Sequence, residues 1–239
     1  MKGHTKNISC LVLLSENILA SGSEDKTIKI WNIENKKIIK TISNNKYKRI
    51  DSLLAFQTNI LIAGIFNVIR IINIDTKEEI ASLIGHEKTI YSLVKINKYL
   101  LASSSYDNLI KIWNISNKTC EYTLYGHDNP VFCILLLKDG RLASGSASWN
   151  KSIKIWNLEK KSFEFALIGH KREVRDIKQI SSNIIISAST DKTIKIWNLS
   201  KKSCVQTLIS HKDVIFCLCI IDKNKFVSGG REEYIFMWK

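Results

Sequence analysis

The chain reads as short apolar stretches of five to seven residues, each rich in β-branched side chains and each bounded by Ser, Gly, Asn or Asp. Ile8-Ser-Cys-Leu-Val-Leu-Leu14, Asn17-Ile-Leu-Ala-Ser21, Thr27-Ile-Lys-Ile-Trp31 and Lys37-Ile-Ile-Lys-Thr-Ile42 open the series. Stretches of this length and make-up predict strands, and the segments Ile33 to Lys36 and Ile115 to Lys118 predict the hairpin turns between third and fourth strands.

Four strands make a unit, and the unit returns. Leu19-Ala-Ser21-Gly-Ser-Glu-Asp25 with Ile28-Lys-Ile-Trp31-Asn32 comes back at Leu101 to Asn114, at Leu142 to Asn157, at Ile186 to Asn198 and, worn, at Phe226 to Trp238. A histidine precedes each copy: His4, His86, His127, His170 and His211. From His4 it is 17 residues to Ser21, 21 to Asp25 and 27 to Trp31, and His86 and His170 repeat this spacing. Between His4 and His86 lie 82 residues, so a degenerate copy is expected halfway, with Asn44-Asn45 and Ile72-Asn73 in place of Gly-His and Trp-Asn. Self-similarity at this period governs every other reading. The six units run about 3–43, 44–84, 85–125, 126–168, 169–209 and 210–239, and one domain, 1–239, is expected to hold them all.

A Ser, His and Asp set invites a hydrolase reading. A catalytic triad occurs once per active site, however, and this set recurs. The spacing suits a buried relay in which the Trp indole donates to Ser, Ser to His, and His to the acid, a network worth building only when every member is satisfied. The expected sets are His4, Ser21, Asp25, Trp31; His86, Ser103, Asp107, Trp113; His127, Ser144, Asn150, Trp156; His170, Ser187, Asp191, Trp197; and His211, Ser228, Glu232, Trp238. The second unit keeps only Asn67 in the turn and is expected to lack the network. With all five histidines placed and no Gly-rich phosphate loop in the chain, no enzyme activity is expected.

Units of about 41 residues that open on Gly-His and close near Trp-Asn resemble the WD-repeat β-propeller family over essentially the whole chain. The resemblance implies an all-β fold, a β-propeller of six four-stranded blades, and structural roles for the recurring sets. Asn in place of Asp after the Trp is expected to change little, because that residue points to a solvated turn. No sixth fourth strand is visible, so the last blade is expected to lack its outer strand. The open edge at Glu233 to Trp238 then predicts strand pairing with a partner or dimerisation.

The resemblance also implies that partners bind at the positions three and five after each histidine and just before each acid. Those positions hold Arg49, Phe66, Tyr91, Tyr106, Phe132, Trp149, Arg175, Phe216 and Arg231 among smaller or polar residues. Aromatic and Arg side chains dominate binding hot spots. The expectation is a protein-interaction scaffold with protein or peptide partners. An alternative is a reader of acidic or phosphorylated peptides in a ubiquitin-ligase or chromatin complex, since Arg49, Arg175 and Arg231 offer bidentate donors diluted by Asp51 and Glu173.

Composition changes this picture only at its margins. The formal charge of +14 comes mostly from lysine, much of it in pairs such as Lys36-Lys37, Lys160-Lys161 and Lys201-Lys202. Solvated turns explain these better than nucleic-acid binding, which stays open as a third reading. Five of the six cysteines fall at equivalent positions of separate units, and Cys219 shares a strand face with Cys217 without a further His or Cys pair to complete a zinc set, so reduced structural thiols in the cytoplasm or nucleus are expected and neither metal nor cofactor. The longest apolar runs are far short of a membrane span, and with the first unit beginning so close to Met1 no signal peptide is expected.

Overall fold

A computed structural model describes residues 2–43, 47–147, 152–222 and 225–239, and the described residues form strands and turns with no helix. They fall into two compact units, 1–107 with 111–123 and 108–110 with 124–239. The first holds three sheets. Strands β1 (Ile8–Ser15), β2 (Ile18–Ser23), β3 (Thr27–Asn32) and β4 (Lys37–Ser43) form one; β5 (Ile50–Gln57), β6 (Ile60–Ile65), β7 (Val68–Asn73) and β8 (Glu79–Ile84) the next; and β9 (Ile90–Lys95), β10 (Leu100–Ser105), β11 (Ile110–Asn114) and β12 (Thr119–Leu124) the third. In the second unit, β13 (Val131–Leu136), β14 (Leu142–Ser146), β15 (Ser152–Asn157) and β16 (Ser162–Ile168) form a sheet. So do β17 (Val174–Ser181), β18 (Ile184–Ser189), β19 (Thr193–Asn198) and β20 (Ser203–Ile209). The last sheet has three strands among the described residues, β21 (Ile215–Ile220), β22 (Phe226–Gly230) and β23 (Ile235–Trp238). Each sheet is an up-and-down antiparallel blade of the propeller type.

Both faces of an inner blade are apolar because each packs on a neighbour. In the first unit Ala20, Ile28, Ile30 and Ile42 meet Ile50, Leu53, Leu61 and Ala63, and on the far side Ile62, Ile69, Ile71 and Leu83 meet Ile90, Leu93, Leu101 and Trp113. The second unit repeats this with Cys133, Ala143, Ile153 and Ile155 on Val174, Ile177, Ile185 and Trp197, and with Ile186, Ala188 and Ile194 on Ile215, Leu218 and Phe226. Close approach at these joints rests on small residues. A Cβ on Gly22 would lie 2.5 Å from Ile50 Cγ2 and 2.7 Å from Cys10 Sγ. Gly22→Ala is therefore expected to cost about 1–3 kcal/mol by overpacking. The test is a urea midpoint lowered at constant m-value; an unchanged midpoint would show the joint to be slack.

The Asn of each Trp-Asn pair faces the turn and closes it. Asn32 Oδ1 accepts from the Asn35 amide at 3.0 Å, Asn114 from Ser116 at 3.0 Å, Asn157 from Lys160 at 2.9 Å and Asn198 from Lys201 at 2.8 Å. An Asp oxygen accepts such bonds equally, so Asn here departs little from Asp. Each of these turns ends on a lysine in the left-handed region: Lys36 (φ 59°), Lys118 (φ 60°), Lys161 (φ 52°) and Lys202 (φ 52°), with Lys77 (φ 64°) at the same place in the degenerate unit. The next strand resumes with a register shift at Ile30/Trp31, Ile71/Ile72, Ile155/Trp156 and Ile196/Trp197. A turn followed by a left-handed residue and a bulge is a common hairpin solution, which gives these lysines a backbone reason for their repeat position.

Candidate functional site

The recurring side chains meet inside their own blades. Trp31 Nε1 donates to Ser21 Oγ at 2.7 Å, Ser21 Oγ lies 2.7 Å from His4 Nε2, and His4 Nδ1 lies 2.8 Å from Asp25 Oδ2. The third blade repeats this through Trp113, Ser103, His86 and Asp107, and the fifth through Trp197, Ser187, His170 and Asp191, with every link between 2.6 and 2.9 Å. In the sixth blade Glu232 reaches His211 Nδ1 at 2.7 Å, with Trp238 and Ser228 completing the chain. In the fourth, Trp156, Ser144 and His127 are joined at 2.8 and 2.7 Å, while Asn150 lies outside the described residues. The second blade has Ala63 and Ile72 at the Ser and Trp positions, both fully buried, and Asn67 donates to the His86 carbonyl instead.

These relays are largely buried, and in the first, third, fifth and sixth blades every link from indole to acid is made. Burial works against the charged form of Asp25, but the Thr27 hydroxyl, the Thr5 amide and His4 outweigh it and hold the carboxyl well below its ordinary range. Asp191 is held down likewise, against burial, by His170, Thr193 and the Lys171 amide. Glu232 is lowered by the Lys212 amide, His211 and the Asp213 amide despite some desolvation. His127 differs: burial, and then Lys154, push its pKa down to about 3. Its Nδ1 has no hydrogen-bond partner among the described residues.

The variable residues lie together at the loop end of each blade. The amide just before the acid donates to the carbonyl three residues after the histidine: Glu24 to Asn7, Tyr106 to Thr89, Thr190 to Glu173 and Arg231 to Val214, at 2.9–3.0 Å. In the first unit, Arg49 Nε donates to Asp51 Oδ1 at 2.5 Å and its guanidinium also reaches Glu24 at 3.5 Å. Burial pushes the Asp51 carboxyl up in spite of Arg49 and the Phe66 amide. Phe66 sits at φ 55°, an uncommon conformation for a bulky residue, and its exposed ring lies under the Lys48 ammonium at 4.3 Å. Tyr91 and Tyr106 tilt against each other with ring centroids 6.1 Å apart, and Lys88 lies over Tyr106.

In the second unit three blades contribute to one stack. The Arg175 guanidinium lies 4.1 Å from the Phe132 ring centroid and 5.7 Å from that of Phe216, and it pairs with Glu173 at 3.6 Å. Phe216 and Arg231 are exposed. Trp149 lies outside the described residues. The sequence placed Arg175 and the two phenylalanines on one face; their stacking, and the pairing of Arg49 and Arg175 with the chain's own carboxylates, were not legible there. The signals were the acids two residues from each arginine, Asp51 and Glu173.

All six cysteines are free thiols, and burial pushes Cys10 up to about 12 and raises Cys133 further. Among the described residues no group of three or more His, Cys, Asp or Glu is placed to hold a metal ion.

The sequence profile of the family described as WD domain, G-beta repeat, matches residues 1–32, 77–114, 118–157, 161–198 and 202–239. The stretch it passes over, 33–76, holds most of the blade in which Ala63 and Ile72 replace the relay. Among curated proteins, the chain is 55% identical over 42 residues to the probable E3 ubiquitin ligase complex SCF subunit scon-2 of Neurospora crassa, which covers 18% of this chain and 6% of that protein. It is 54% identical over 41 residues to the probable E3 ubiquitin ligase complex SCF subunit sconB of Arthroderma benhamiae, covering 17% and 6%. These matches have the length of about one blade and span a small part of either relative.

Proposed function

Because this chain belongs to the WD-repeat family, we propose that it is a non-catalytic scaffold that binds a protein or peptide on the loop face carrying Phe132, Arg175 and Phe216. The observation that supports this reading is the stack itself. A guanidinium lies beside two rings from separate blades, one ring exposed, with Glu173 neutralising part of its charge. Such a surface offers flat apolar area and directed donors at little rotamer cost, the chemistry of a hot spot. Peptides selected from a random display library against the wild-type chain supply the probe. Arg175→Ala and Phe216→Ala are each expected to weaken the selected peptides about tenfold or more with an unchanged melting temperature. Equal affinity for both variants would move the site elsewhere.

A second reading is favoured by the names of the relatives: recognition of an acidic or phosphorylated peptide within a ubiquitin-ligase complex. An incoming anion would compete with Asp51 and Glu24 for Arg49 and with Glu173 for Arg175. Selected peptides that bind better when phosphorylated, and lose that preference in Arg175→Ala with Arg231→Ala, support it; indifference to phosphate sinks it. Binding of nucleic acid through the turn lysines is the third reading, and it alone requires affinity that falls steeply with salt.

A further inference from the structure

In the first and fifth blades one cradle holds a carboxylate, and its donors are all in view. Asp25 Oδ2 accepts from His4 Nδ1 at 2.8 Å and from the Thr5 amide at 3.0 Å, while Oδ1 accepts from the Thr27 hydroxyl at 2.6 Å and the Thr27 amide at 3.0 Å. Asp191 repeats this with His170 at 2.9 Å, the Lys171 amide at 2.7 Å, and the Thr193 hydroxyl and amide at 2.6 and 2.9 Å. Two donors to each oxygen suit a planar anion of this kind. They also hold both carboxyls well below their ordinary range against burial, so the cradle tolerates a full negative charge.

The fourth blade keeps two of these side-chain donors at the same places. Ser152 pairs with Ile168 across β15 and β16 as Thr193 pairs with Ile209 across β19 and β20, which puts its hydroxyl at the position of the threonine. The ring proton of His127 follows from the relay. Trp156 can only donate, so Ser144 Oγ accepts from it at 2.8 Å and turns its own proton to His127 Nε2 at 2.7 Å, the nearer acceptor, since the Lys154 carbonyl lies at 3.5 Å. Nδ1 then carries the hydrogen and needs an acceptor. Neither His127 Nδ1 nor Ser152 Oγ has a hydrogen-bond partner among the described residues, and both residues are buried, 7% and 1% exposed. Unpartnered buried polar atoms are costly, and two of the four side-chain atoms of this kind among the described residues fall at this one place. The corresponding atoms lie 3.2 Å apart in the first blade and 3.4 Å apart in the fifth, close enough to serve one ligand.

We propose that the fourth blade binds a small carboxylate ion, formate being the simplest, with one oxygen on His127 Nδ1 and the other on the Ser152 hydroxyl, as Asp25 and Asp191 are held in their own blades. Burial of both donors limits the ligand to a few atoms. The sign of the ligand agrees with the local field: the charge that bears on His127 is the Lys154 ammonium, which lies over the Phe163 ring at 5.1 Å. Two oxygens in one plane match the two donors, a pattern that a spherical anion such as chloride does not offer. Binding and protonation are coupled. A carboxylate beside the imidazole favours imidazolium, so the bound ion must raise the pKa of His127, and by reciprocity a protonated His127 binds the ion more tightly.

The test uses the whole chain in a buffer free of carboxylates, with sodium formate titrated against sodium chloride at equal ionic strength. Formate is expected to raise the melting temperature saturably, by about 3–6 °C beyond chloride at ten times its dissociation constant. In proton–nitrogen spectra of the histidine rings, formate should move the resonances of His127 and raise its pKa, while His170 and His211, whose relays already end on an acid, stay in place. Ser152→Ala should weaken formate at least about tenfold. Because it deletes an unpartnered buried hydroxyl, this variant should be at least as stable as wild type in chloride. Ser152→Thr, which installs the residue of the first and fifth blades, should keep the response. Equal effects of formate and chloride would mean that water alone serves the two donors and would overturn the proposal. So would His170 moving as far as His127, or a formate response that survives Ser152→Ala.

Discussion

Trp197→Ala is expected to lower stability by about 3–5 kcal/mol, the cost of a cavity left by a large buried side chain. Trp197 is fully buried, its ring lies against Gly169, where a Cβ would come within 3.2 Å, and its indole donates to Ser187 at 2.8 Å. The truncation therefore also removes one bond from a hydroxyl that still serves His170, a further cost of about 1 kcal/mol that does not simply add. For a chain of this size the sum corresponds to a fall in melting temperature of roughly 10 °C. Trp238→Ala, on the partly exposed last blade, should lose less, about half as much, because its ring can be reached by water before the change. Thermal melts of the two variants decide this. Equal losses would show that the indole bond, common to both, outweighs burial.

The degenerate blade explains why this relay is a choice of chemistry and not a requirement of the fold. Ala63 and Ile72 fill the Ser and Trp places with apolar side chains, both fully buried, in a sheet whose register matches its neighbours. Removing all polar partners together leaves no orphan, whereas removing one leaves the rest unpaired. The sequence was informative here because the relay joins residues at fixed separations within one blade: 17, 21 and 27 residues are enough to count copies, to find the one without a network and to place Glu232 opposite His211. It was equally informative about strands, whose lengths and turn residues are local. Contacts between blades were less legible. Arg175 reaches rings roughly 40 residues before and after it, and Ile8 differs from Ile50 only in what lies against it, which no local pattern records. The lysines Lys36, Lys118, Lys161 and Lys202 lie in the turns expected of them, and what the sequence did not show is the left-handed backbone that sets their place.

Acid should weaken the fourth blade at a pH where the others are still intact. A histidine whose pKa is lowered in the folded state contributes its full share only above its unfolded value of about 6.5, and loses it as pH falls toward the folded value. For His127 that folded value is about 3, set by burial and by Lys154. The window therefore runs from pH 6.5 down to about 3. The loss is about 2 kcal/mol by pH 5 and roughly 4–5 kcal/mol at the lower end, from a separation near 3.5 pH units at ~1.4 kcal/mol each. Asp25 and Asp191 obey the same sign in a lower window. Their lowered carboxyls contribute fully above the unfolded value of about 3.9 and lose that contribution only as pH falls through their folded values, so they leave the range between pH 6.5 and 4 untouched. In the sequence the fourth unit carries Asn150 where the first, third, fifth and sixth carry Asp or Glu, the residue type that would give an imidazolium a counter-charge. His127→Gln tests this. The variant should be less stable than wild type at pH 7, because Ser144 and Trp156 lose a fitted partner, yet its unfolding free energy should fall less steeply between pH 6.5 and 4. Parallel slopes for the two proteins over that range would remove His127 as the acid-sensitive group.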